Sequence, residues 1–327
     1  MISNHEIDYR IYGEELQFVE IELDPNETAI AESGAFMMMD NGIQMNTIFG
    51  DGSQQQDNGI LGKLFSAGKR LLVGESLFMT AFTNVGQGKK RVSFAAPYTG
   101  KIISFDLSQL GGKIIAQKDA FLCAAKGVSI GIEFQRRLGT GIFGGEGFIM
   151  EKIEGDGMAF AHAGGYVVEK ELQAGEILKV DTGCVVAYTA GVDFDIEFVR
   201  GIKNWMFGGE GFIMEKIEGD GMAFAHAGGY VVEKELQAGE ILKVDTGCVV
   251  AYTAGVDFDI EFVRGIKNWM FGGEGLFFAK LQGPGKVWLQ SLPISRLAGR
   301  IMQYGTYKRK EEGSILGGLG NLLDGRE

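Results

Sequence analysis

Residues Phe143 to Gly211 read FGGEGFIMEKIEGDGMAFAHAGGYVVEKELQAGEILKVDTGCVVAYTAGVDFDIEFVRGIKNWMFGGEG, and the same letters return without one difference from Phe207 to Gly275. The period is 64 residues, and the copies share the FGGEG at 207–211. A fixed period marks a repeat architecture, in which one supersecondary unit buries its apolar face against the next. Identity without drift adds that the copying is recent, engineered or an assembly artefact. A crossover between the FGGEG segments of a shorter parent would produce it. The 327 residues less one 64-residue unit leave a parent of 263.

The clearest strand lies at the end of each unit. Val192, Phe194, Ile196 and Phe198 alternate with Asp193, Asp195 and Glu197. Val128, Ile130, Ile132 and Phe134 do the same around Ser129, Gly131 and Glu133, and Ile43 and Met45 are a worn first example. Alternation of period two sets one face in a core and the other in water. Units open on related Gly-Glu segments at Gly74, Gly145, Gly209 and Gly273. Gly-rich stretches follow the first three, at Asn84 to Lys90, Glu154 to Gly157 and Glu218 to Gly221, and are read as hairpin turns. The parent therefore has three diverged β modules, and the copy spells a fourth. The first module is split. Its leading strands open the chain, and GEGLFFAKLQGPGKVWLQSLP near the C-terminus is expected to complete it and lock a closed ring.

Composition agrees with a β-rich core. Glycine is 52 residues, proline 4, and 45% of residues are hydrophobic. Net charge is −12, to which each 64-residue unit contributes −6 from 11 acidic and 5 basic residues. An acidic chain without a basic stripe repels phosphate backbones, so nucleic acid is not an expected partner. Cys123, Cys184 and Cys248 have no metal-ligand spacing and imply no disulfide framework. The N-terminus lacks the pattern of a signal peptide, and no apolar run reaches the roughly 18 residues of a membrane span. The expected compartment is the cytoplasm.

Elsewhere, Ile7 to Leu23 reads as strands ending in the turn Asp24-Pro25-Asn26, and Asn41-Gly42 as a hairpin turn. Gly50 to Gly59 reads as a loop. Between Ile60 and Leu72, the apolar Leu64, Phe65, Leu71 and Leu72 recur at helical spacing among Lys63, Lys69 and Arg70. Such a segment touches a membrane or partner, or is a short helix capping the end of the β core; base rates favour the cap. After Pro293, ISRLAGRI reads as a short helix, followed by a charged and Gly/Leu-rich tail. Residues 1–300 form one repeat-built domain and 301–327 the tail.

Several segments together carry a resemblance: Gly74 to Met79, Phe143 to Gly147, Leu172 to Glu176, Val180 to Gly183, and Gly283 to Ser291. They resemble the mitochondrial-biogenesis family named for altered inheritance of mitochondria (member twenty-four), in its bacterial branch. That resemblance implies an all-β, pseudo-threefold β-prism of three sheets, like the tryptophan RNA-binding attenuator protein. It carries over no activity from bacterial members, and for yeast members it implies a link to organisation of the mitochondrial inner membrane. The departure is the fourth module.

Five carboxylates are candidate site residues. Asp181 and Asp245 each open a DTG triplet, the aspartic-protease signature, in which two carboxylates sharing a proton would activate water. The second is a copy of the first, however, and a strand-to-turn role explains both, with Asp accepting backbone N–H groups. Glu146, Glu210 and Glu274, with Glu75, would line a shared axis and hold a cation, or make salt bridges and caps. Asp193, Asp195 and Glu197 have the spacing of oxygen ligands for calcium, and equally that of a solvated strand face. His162 and His226 read as packed strand residues, and Trp205, Trp269 and Trp288 as core or rim aromatics. No catalytic, cofactor or metal site is assigned. The expected function is that of a non-enzymatic scaffold binding a protein partner or itself. A small-ligand or metal-binding prism and a peripheral membrane protein are the alternatives.

Overall fold

The computed structural model describes residues 6–49, 78–136, 148–198, 213–262 and 277–302. The readings made on Glu75, Glu146, Glu210, Glu274, Leu64, Phe65, Leu71, Leu72, Trp205, Trp269 and the tail lie outside these residues.

The described chain is all-β, with one helix over 294–302 where ISRLAGRI suggested it. A four-stranded sheet has the order β1 (Asp8–Tyr12), β2 (Phe18–Leu23), β7 (Lys90–Ala95), β4 (Phe36–Met39). A six-stranded sheet follows β5 (Ile43–Phe49), β6 (Phe78–Asn84), β3 (Thr28–Glu32), β10 (Phe121–Ala125), β13 (Met158–Ala163), β8 (Lys101–Asp106). A ten-stranded sheet runs β11 (Ser129–Arg136), β12 (Phe148–Glu154), β9 (Lys113–Gln117), β15 (Val185–Thr189), β17 (Ile213–Ala227), β14 (Tyr166–Asp181), β20 (Val249–Thr253), β23 (Gly285–Gln290), β18 (Val231–Leu236), with β16 (Val192–Phe198) on β17. A three-stranded sheet is β19 (Ile241–Asp245), β22 (Phe277–Gln282), β21 (Asp257–Phe262).

Alternation builds these strands where one face meets water. In β2, Val19, Ile21 and Leu23 are fully buried, while Glu20 and Glu22 face outward and meet Arg91, Glu22 at 3.0 Å. Strands inside the arrays read differently. β10 and β15 are buried at every position, so their sequences FLCAA and VVAYT are apolar without alternation.

The Gly-rich stretches are not hairpins. β6 lies in the six-stranded sheet and β7 in the four-stranded one; β12 and β13, and likewise β22 and β23, are divided between two sheets. A hairpin needs both strands in one sheet. Here glycines at positive φ, Gly155 at 153° and Gly285 at 146°, turn the chain out of one sheet and into the next. The Asn41-Gly42 turn behaves alike: β4 pairs with β7, β5 with β6.

β17 makes the same corner without a break. Its first half pairs with β16 and the second half of β14, and its second half with β15 and the first half of β14. Traced through these two long strands, the ten-stranded sheet is two six-stranded arrays. They repeat the order of roles in the separate six-stranded sheet. The middle junction of each array keeps one register: Cys123↔Ala31 and Ala124↔Ile30 in β10–β3, Ala187↔Ala116 and Tyr188↔Ile115 in β15–β9, Ala251↔Val180 and Tyr252↔Lys179 in β20–β14.

The C-terminal strands do not complete the first module. β22 pairs with β19 and β21, and β23 with β18 and β20. The second copy offers these partners close by in sequence, where loop closure costs less than a return to the N-terminus.

Four apolar clusters fill the interior. One holds Val19, Ile21, Phe82, Phe94 and Phe160; another Phe105, Ile114, Phe121 and Phe224. A third is built on Leu178, Val180, Tyr188 and Trp288, and the last on Val249, Leu281 and Val287. Each such side chain contributes about 1.5–3 kcal/mol. Within the third region Glu215 is fully buried and neither carboxylate oxygen has a partner, nor does the Tyr188 hydroxyl. Its identical copy Glu151 is only half-buried.

Burial pushes the Glu215 carboxyl from 4.5 up to about 8. Above pH about 4.5 the unfolded chain releases a proton that the folded chain keeps, so folding becomes less favourable until about pH 8. Glu215→Gln removes this titration. Urea denaturation at pH 5 and pH 8 is expected to show wild-type stability falling with pH and the variant's falling less.

Candidate functional site

Turns from successive units meet at one end of the sheets and wall a cavity of about 280 Å³. Tyr98, Gly164, Gly165, Asp181, Cys184, His226, Gly228 and Gln290 are among its lining, and Leu292, Ile294 and Leu297 close one side from the final turn and helix. The wall is mostly glycine and apolar side chains with a few convergent polar groups, as in small-molecule sites.

Three residues at the 64-residue spacing, His162, His226 and Gln290, occupy equivalent strand positions in β13, β17 and β23. Two of them tie one unit's turn to the next. His226 Nδ1 lies 3.2 Å from the Gly164 carbonyl oxygen. The Gly228 N–H donates to Gln290 Oε1 at 2.8 Å, and Gln290 Nε2 donates to the Gly247 carbonyl at 2.9 Å and toward Cys184 Sγ at 3.6 Å. His162 differs. Its ring stands edge-on to Tyr98 with centroids 4.8 Å apart, and both its nitrogens are buried without a hydrogen-bond partner.

Close backbone approach makes glycine necessary at these turns. A Cβ at Gly165, where φ is +116°, would collide with the Ala227 carbonyl oxygen, and one at Gly228 with that of Leu292.

Burial sets the electrostatics. The Asp181 carboxyl rises to about 6, opposed by the Gly183 N–H that donates to it at 2.8 Å. Burial first, and then the Asp181 charge, push the Cys184 thiol well above its usual range. A thiol held protonated is a poor nucleophile. Burial lowers His226, and burial followed by the His226 charge lowers His162 to about 4.

The DTG carboxylates are turn residues. Asp181 accepts from Gly183 N at 2.8 Å and Asp245 from Gly247 N at 3.0 Å. Among the described residues no hydrogen bond joins them. Asp181 lines the cavity, whereas Asp245 faces Arg296 at 3.4 Å. The Asp193, Asp195, Glu197 row is engaged in the sheet: Glu197 pairs with Lys179 at 2.7 Å, and Asp195 accepts from the Ile196 N–H at 2.8 Å. No group of three or more His, Cys, Asp or Glu able to hold a metal occurs among the described residues. Trp288 is buried in the core, its Nε1 donating to Glu233 at 3.1 Å.

Sequence reasoning missed Tyr98, Cys184 and Gln290 as site residues. The signal for Gln290 was present, because it stands 64 residues after His226. Its change of residue type hid the match.

Two measurements check this geometry. Gly165→Ala is expected to cost about 1–3 kcal/mol in urea denaturation, the cost of holding a side-chain-bearing residue in a strained backbone conformation. The folded chain disfavours protonated His162, so stability falls as pH drops from 6.5 toward about 4. His162→Phe keeps a ring against Tyr98 and removes that titration. Its melting temperature is expected to fall less than the wild type's over this range.

The described residues contain no helix long and apolar enough to cross a membrane; this leaves strand-built membrane crossing open. A crystal structure of a Streptococcus pyogenes protein aligns with 91% of this chain and 100% of its own at 17% identity and a TM-score of 0.34. An uncharacterised protein of Streptococcus pyogenes serotype M6 is 30% identical over 199 residues, which are 60% of this chain and 75% of that protein. The family model described as mitochondrial biogenesis AIM24 matches residues 9–212 and again 191–292. Spanning most of the chain, these matches show that the protein belongs to the mitochondrial biogenesis AIM24 family.

Proposed function

We propose that this chain is a non-enzymatic interaction protein, a cytoplasmic scaffold whose sheets are the sides of an extended β-prism. The observation that carries the reading is the row Phe36, Met37, Met38 and Met39 in β4. All four residues are 40–49% exposed on a strand at the edge of its sheet among the described residues. Contiguous exposed apolar surface of this kind serves partner binding, and methionine adapts its shape to the partner. An open strand edge adds unpaired backbone donors and acceptors that a further strand satisfies.

The chemistry of the carboxylates supports the non-enzymatic part. Asp181 and Asp245 are each engaged by their own turn, and Cys184 is held as a thiol. Neither arrangement activates water or a nucleophile. The resemblance to yeast members linked to organisation of the mitochondrial inner membrane makes a membrane surface the setting of the alternative reading. Contact through Leu64, Phe65, Leu71 and Leu72 would bring the scaffold to a membrane surface.

A second reading, binding of a small ligand, is favoured by the cavity of about 280 Å³ with Asp181, His226 and Gln290 in or on its wall. Thermal shift with metal ions and small metabolites separates it from the first, since a pure scaffold gives no saturable shift.

The purified chain is expected to turn over neither peptide nor ester substrates. Hydrolysis abolished in Asp181→Asn would overturn the non-enzymatic reading. Flotation with liposomes tests the alternative of a membrane contact: a wild type that floats while Leu64→Asp/Phe65→Asp remains below supports it, and equal flotation ends it.

A further inference from the structure

Each complete array joins two half-arrays at its middle. On one side stands β3, β9 or the second half of β14; on the other stands β10, β15 or β20. Two half-arrays are left over. The three-stranded sheet β21–β22–β19 matches the first kind, and β4–β7–β2 matches the second.

The match extends to single residues. β19 is the sequence copy of the second half of β14, so Leu242, Lys243 and Val244 stand for Leu178, Lys179 and Val180. β4 pairs with β7 as Phe36↔Phe94, Met38↔Ser93 and Met39↔Val92, with an irregularity between Phe36 and Met38. β20 pairs with β23 as Val249↔Leu289, Ala251↔Trp288 and Tyr252↔Val287, with the irregularity at the same place. Met38 and Met39 therefore stand where Ala251 and Tyr252 stand.

Burial shows what the missing strand does. Leu178 and Val180, covered by β20, are 3% and 1% exposed. The identical Leu242 and Val244 are only half-buried, and Ile241 is 50% exposed. β10 and β15 are buried throughout, whereas all of β4 is exposed. Among the described residues β4 pairs only with β7, and β19 only with β22.

We infer that the β19 edge of one copy of this chain pairs antiparallel with the β4 edge of a second copy, in the register Val244↔Met38 and Lys243↔Met39. The junction already formed three times within the chain shows the geometry. Its donor and acceptor strands remain at opposite ends of the molecule's sheet series. The contact is heterologous, so copies add head to tail, into a ring or an open chain. This rests on the interaction-protein reading and names the partner of its β4 surface as the same protein.

The test uses the full chain with Cys123, Cys184 and Cys248 replaced by Ala, carrying Met38→Cys and Val244→Cys. Opposed strand positions bring Cβ atoms within disulfide reach. Mild oxidation is expected to give dimers and higher species on non-reducing gels, faster at higher concentration and reversed by dithiothreitol. Met37→Cys with Val244→Cys, one residue out of register, is expected to cross-link much less. Independently, sedimentation velocity of the wild type is expected to show concentration-dependent association. Met39→Lys sets a lysine opposite Lys243 and is expected to shift the protein to monomer with an unchanged circular dichroism spectrum. A cross-link confined to monomer mass means that the chain closes on itself, and overturns the inference. So does a wild type that sediments as monomer at every concentration. Either failure leaves the turnover assay, and with it the non-enzymatic reading, standing.

Discussion

The backbone ladder at the middle of each array is the constraint on which the rest depends. Cys123↔Ala31, Ala187↔Ala116 and Ala251↔Val180 are the same contact made three times. In the first two, both strands are buried at nearly every position, and there an unpaired N–H or C=O costs about 1–3 kcal/mol. A unit that cannot find the next unit's strand therefore leaves both apolar and polar surface uncovered. The corners serve this ladder. Glycines at Gly155, Gly219 and Gly285 take the chain from the first half of one array into the second half of another. No unit keeps its strands in a single sheet.

The exact duplication separates local from tertiary causes in one molecule. Local geometry repeats: Gly175 and Gly239 sit at φ 78° and 79°, and Glu176 and Glu240 accept from the Gln173 and Gln237 N–H groups at 3.1 and 3.0 Å. Environment does not. Glu215 is buried where Glu151 is half-buried, and Cys184 is buried where Cys248 is partly open. Asp181 lines the cavity while Asp245 faces Arg296. The same letters thus make the same turns and meet different neighbours.

The cavity follows from the same logic. β13 and β17 end in the glycine turns Gly164-Gly165 and Gly228-Gly229, and β23 ends in Ser291-Leu292-Pro293; these turns converge because the arrays succeed one another along the chain. At the equivalent position His226 and Gln290 each bridge to the preceding turn, but His162 meets an aromatic ring instead. Its unpartnered nitrogens are a cost that the other two avoid. The buried Glu215 is another, and neither is compensated by a hydrogen bond.

The sequence by itself determined the all-β class and the outward rows such as Glu20 and Glu22. These depend on alternation and on glycine, which act within a few residues. It also determined that Asp181 and Asp245 cap turns, because the acceptor and the donating Gly N–H are two residues apart. Tertiary structure alone decided which strands share a sheet. Asn84 to Lys90 and Glu154 to Gly157 look like hairpins because strand, glycine turn and strand follow one another, yet the partners come from other units. It alone decided that Tyr98, Cys184, His226 and Gln290 meet around one cavity, and that among the described residues β4 and β19 stand at the edges of their sheets. Pairing between strands far apart in sequence depends on which edge is nearest once the chain has folded, and that distance is not written in any local pattern.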